Sequence, residues 1–103
     1  MLDSLNSDLF EPRFSPQNLP IFAQKALDRC HVLLPDSTHP VGAIIYENRY
    51  YAYVKFFQDE EAAKRGGMRL VQKGNEVILT RVRKGLVLWV LEPDAHRVGK
   101  ILR

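Results

Sequence analysis

Four residues, Cys30, His31, His39 and His96, are of types that ligate metals. Cys30 and His31 are adjacent and project in different directions, and no familiar zinc spacing joins the set, so no metal site is predicted. Ser4, Ser7 and Ser15 lack the Gly-x-Ser-x-Gly setting of an activated nucleophile and fall in a polar arm. Asp59, Glu60 and Glu61 are contiguous, a pattern that serves a helix N-terminus rather than acid and base catalysis. Lys64-Arg65-Gly66-Gly67 offers cations and amides but lacks the spacing of a phosphate-binding loop, and reads as a helix stop. The expected chemistry is therefore binding, without catalysis and without a cofactor. The densest candidate is Arg49-Tyr50-Tyr51-Ala52-Tyr53-Val54-Lys55-Phe56, where period-two geometry puts Tyr51, Tyr53 and Lys55 on one strand face.

These residues need elements to hold them. The 103 residues, 46% apolar and 26% charged, suit a single globular domain. Residues 1–17, with Pro12 and Pro16, read as an extended arm carrying Leu2, Leu5, Leu9, Phe10 and Phe14, and residues 18–103 read as one α+β domain. Over 18–30 the apolar residues Leu19, Phe22, Ala23, Ala26, Leu27 and Cys30 recur at three and four residue steps, which predicts an amphipathic helix capped by Asn18. Val41–Tyr46 and Tyr50–Phe57 predict a β-hairpin, and Asp59–Arg65 a short helix stopped by Gly66 or Gly67. Met68–Gln72, Glu76–Val82 and Leu86–Leu91 predict three further strands, joined by turns at Lys73-Gly74-Asn75 and Arg83-Lys84-Gly85. The fold class that results is α+β: an N-terminal helix and a strongly bent, mostly antiparallel five-stranded sheet, small and barrel-like, with a short inserted helix. Both central strands are apolar on both faces, so the second face asks for cover by the arm or by another subunit.

Charge is divided along the chain. Residues 1–63 sum to about −4 and residues 64–103 to about +7 by formal count. The basic part contains Arg69, Lys73, Arg81, Arg83 and Lys84, able to meet an acidic protein surface or a polyanion. The lone cysteine and the absence of a signal-like N-terminus or a long apolar run predict a cytoplasmic protein with no membrane partner.

Arg49 to Phe56 resembles the RNP1 strand of RNA recognition motif domains at seven of eight positions. Tyr50 departs from it, where that family has glycine. The resemblance reaches no further than the following acidic helix start, and the stretch where an RNP2 strand would lie, 10–20, holds three prolines. It implies that Tyr51 and Tyr53 stack on bases while Arg49 meets phosphate. The leading expectation is a non-enzymatic interaction module for an acidic or apolar protein partner, or for a second copy of the chain. Its apolar anchors would be Leu2, Leu5, Leu9 and Phe10, or the faces of Ile78 and Trp89. One alternative is single-stranded nucleic acid bound by Arg49, Tyr51, Tyr53, Lys55, Arg69, Lys73, Arg81, Arg83 and Lys84; another is a small ligand-binding barrel with a pocket lined by His39, His96 or the tyrosines.

Overall fold

The computed structural model describes residues 19–99. The chain there runs through β1 (Ile21–Ala23), a 3-10 turn (Gln24–Ala26), β2 (Asp28–Leu33), β3 (Val41–Tyr46), β4 (Arg49–Phe57), α1 (Glu60–Gln72), β5 (Val77–Val82), β6 (Gly85–Leu91) and β7 (His96–Arg97). Among the described residues these seven strands form one sheet in the order β1-β5-β6-β4-β3-β2-β7. The β1–β5 pair is parallel and the others antiparallel. Glu47 and Asn48 both take positive φ, 52° and 64°, which is the two-residue turn that matches strand twist and folds β3 back on β4.

The sheet cannot be flat. β1 and β2 stand five strand spacings apart in it, about 24 Å at the usual separation. Yet Ala23 and Asp28 are joined by a link whose full extension is about 18 Å. The sheet therefore coils, and Phe22 on β1 meets Tyr46 on β3 with ring centroids 5.0 Å apart, although three strands lie between them in the ladder. β1 and β2 share no ladder, so the coil is not closed.

Each face of the central strands has its own core. On one, α1 packs Ala63 against Val77, Leu79, Leu86 and Leu88, with Leu19 beneath it. On the other, Ile44, Tyr51, Ile78, Val87 and Trp89 are enclosed as the sheet curls. Burial of this second face removes the observation that asked for a second subunit, and it also withdraws Ile78 and Trp89 as exposed anchors, at 0% and 4% exposure.

Several expectations are corrected. Where a helix is predicted over 18–30, residues 21–30 instead form β1, the 3-10 turn and the start of β2, so the described residues make a seven-stranded mixed sheet with one α-helix, not an N-terminal helix on five strands. The three and four residue spacing there serves two different cores: Leu19 joins the one under α1, while Phe22 and Leu27 join the other. Pairing of Ile21–Ala23 with Leu79–Arg81 satisfies the backbone, and tertiary pairing overrides the local periodicity. The short helix is longer than predicted and absorbs the strand expected at Met68–Gln72. Gly66 and Gly67 do not stop it; they let it approach the sheet. A Cβ at Gly66 would stand 2.8 Å from Phe57 Cζ, and one at Gly67 3.0 Å from Leu19 Cδ1. The stop is Gly74, with φ 94°, where Gly74 N–H donates to Val71 O and Asn75 N–H to Leu70 O. The arm over 1–17 and the Asn18 cap lie outside the described residues.

Candidate functional site

The link from β1 into β2 builds a concavity among the described residues. Gln24 at its head is pinned by a relay: Trp89 Nε1 donates to Thr80 Oγ1 at 2.8 Å, and Thr80 Oγ1 donates to Gln24 Oε1 at 2.8 Å. Thr80 is fully buried, so this relay ties the 3-10 turn to β5 and satisfies three polar groups that would otherwise be costly. In the gap left by the unclosed coil lies a cavity of about 660 Å³. Lys25, Arg29, Arg81 and Arg83 surround it, Leu27 and Val82 give it apolar walls, and Asp28 is its single carboxylate.

Of these cations one is compensated. Arg81 Nη1 donates to Glu60 Oε1 at 3.3 Å, and Lys64 Nζ approaches Glu60 Oε2 at 3.2 Å. The Lys64 hydrogen bond, and then that of Arg81, holds the Glu60 carboxyl below the usual carboxylate range. Lys25, Arg29 and Arg83 make no ion pair among the described residues. Three uncompensated cations around one concavity produce a positive local field that attracts an anion.

A smaller cavity of about 310 Å³ adjoins it on the face that carries Trp89. Arg29 lines both. His31 and Gly42, paired across β2 and β3, and Trp89 complete the smaller one. Cys30 forms part of its wall; burial pushes the thiol's pKa up, against a smaller opposing effect of the Arg97 charge, so it presents an uncharged surface.

The nine residues singled out in the sequence do not come together. Tyr51 is fully buried, and Arg49 is spent on internal contacts, donating to Tyr51 Oη at 3.3 Å and pairing with Glu76 at 3.1 Å. Tyr51 therefore offers no exposed ring face for stacking. Tyr53 is half exposed, with its ring edge-on to Trp89 at 5.9 Å. Lys55 lies on the opposite face from Tyr53, because a register shift between them pairs Tyr53 with Trp89 but Lys55 with Leu88. Its Nζ sits 5.3 Å from the Phe57 ring centroid. Arg69 and Lys73 are exposed on the last turn of α1 and at its C-cap. Arg81, Arg83 and Lys84 cluster around the β5–β6 turn, and two of these three reach the large cavity. Lys25 and Arg29 lie outside the residues singled out in the sequence, since a helix over 18–30 gives no reason to bring them to β5. His39 and His96 are exposed and line neither of these two cavities.

Among the described residues no group of three or more His, Cys, Asp or Glu side chains is gathered to hold a metal, and no helix is long and apolar enough to cross a membrane. Comparison with family models, curated proteins and solved structures finds no match.

Proposed function

We propose that this chain is a non-enzymatic binding module whose basic cavity receives an acidic segment of a protein partner. The observation that carries this reading is the ring of Lys25, Arg29, Arg81 and Arg83 around a concavity walled by Leu27 and Val82, with Asp28 the one opposing charge. Peptides match such a mixture, because carboxylates meet the cations while aliphatic portions of the chain cover the walls. Nucleic acid is served less well. It needs exposed ring faces for bases, and of Tyr51 and Tyr53, the two tyrosines expected to stack, one is buried and the other has its ring edge-on to Trp89. A small-molecule site would hold its ligand with convergent buried polar groups, whereas the cations here are exposed side chains and Gln24 Oε1 is already used.

The test is fluorescence anisotropy of a labelled glutamate-rich peptide, with single-stranded RNA as comparison, against the parent and an Arg29→Glu, Arg83→Glu variant. Peptide binding that weakens with salt and falls by about tenfold or more in the variant supports the module, tenfold being about 1.4 kcal/mol. Equal peptide binding by parent and variant removes this cavity from the reading. RNA bound more tightly than peptide at matched salt transfers the cations to nucleic acid.

A further inference from the structure

The two cavities share one wall, and their chemistry differs. The larger is ringed by cations; the smaller lies between His31, Gly42 and Trp89 with the protonated Cys30 thiol beside it. Arg29 and His31 are two residues apart on β2, so about 7 Å of strand separates the basic wall from the floor of the second cavity. Gly42 lines that second space. It is the β3 residue opposite His31, and a Cβ placed there would meet no atom within 4 Å. The space above Gly42 is therefore open, and a larger side chain there would project into it. Tyr53, half exposed and edge-on to Trp89, adds an aromatic shoulder on the same sheet face.

Resting on the reading of the larger cavity as a site for an acidic protein segment, we infer that the segment also carries one aromatic side chain, seated between Gly42, His31 and Trp89 while flanking carboxylates meet Lys25, Arg29 and Arg83. Charge complementarity fixes the class of the partner, and the shared Arg29 fixes the spacing: the aromatic residue lies within two or three residues of the carboxylates. Trp89 is nearly buried, so it offers a nucleobase no stacking platform and contributes only a strip of apolar wall to the smaller cavity. The volume of about 310 Å³ accommodates such a ring.

Two labelled peptides test this, one with phenylalanine flanked on both sides by glutamates and one with alanine in its place, each titrated by anisotropy against the parent and a Gly42→Leu variant. On the parent, the phenylalanine peptide is expected to bind about tenfold more tightly, the effect of burying one phenyl ring. In Gly42→Leu that advantage disappears while the alanine peptide binds as before, and an unchanged thermal melt shows that the variant is folded. Equal affinity of the two peptides for the parent overturns the aromatic seat and leaves the acidic reading standing. Failure of both peptides to bind overturns both. A phenylalanine advantage that survives in Gly42→Leu places the ring elsewhere and likewise overturns the assignment.

Discussion

Glu60 shows how one side chain couples stability to the site. Its carboxylate holds cations from two elements together, accepting from Lys64 one turn along α1 and from Arg81 at the rim of the large cavity.

 Its pKa lies below that of the unfolded chain, so the ion pairs stabilise the fold at neutral pH and lose that contribution as pH falls through the folded-state value. Glu60→Gln should therefore be less stable than the parent at neutral pH and indistinguishable from it in the acid range below ordinary carboxylate values, as chemical denaturation across a pH series would show. The same substitution releases Arg81 and should tighten binding of a glutamate-rich peptide by roughly twofold to threefold. A stability difference that persists unchanged into acid would contradict this role. The helix start around this residue was legible in the sequence: Asp59 Oδ2 accepts from Ala62 N–H at 2.9 Å, as a carboxylate at that position does. The burial of Tyr51 was not legible, because a tyrosine on a β-strand is equally at home on a wet face or a packed one, and the coil of the sheet decides between them.

At the scale of elements, the 3-10 turn is the piece on which the site depends, and the Trp89–Thr80–Gln24 relay holds it. Thr80→Val keeps the shape of the side chain but leaves the Trp89 N–H without its acceptor and frees Gln24. It should cost about 1–3 kcal/mol in denaturant unfolding and weaken binding of the acidic peptide as Lys25 loses its fixed place. Full affinity in a destabilised variant would show that the turn does not position the site. The hairpin of β3 and β4, and strands β5 and β6, were readable because runs of β-branched and aromatic residues are bounded there by turn residues. β1 and β2 were not, since Leu19, Phe22 and Leu27 carry a helical spacing that the fold spends on two separate cores. The register shift beyond Tyr53 left no mark either, and it is what parts Lys55 from the tyrosine it was expected to join.

At the scale of the whole molecule, the site exists because the sheet coils without closing. A four-residue link draws β2 back toward β1, the two share no ladder, and the cations of residues 25–29 meet those of residues 81–83 in the remaining gap. The division of charge along the sequence pointed to the second group and concealed the first, because Lys25 and Arg29 lie in the part of the chain whose net charge is negative. The most direct test is a two-dimensional amide NMR titration of the protein with a glutamate-rich peptide. The account predicts shifts concentrated at Gln24–Arg29 and Arg81–Arg83, with the exposed cations Arg69 and Lys73 of α1 unmoved. Shifts centred on α1, or spread evenly over every basic residue, would contradict a defined site and leave only diffuse attraction between charges.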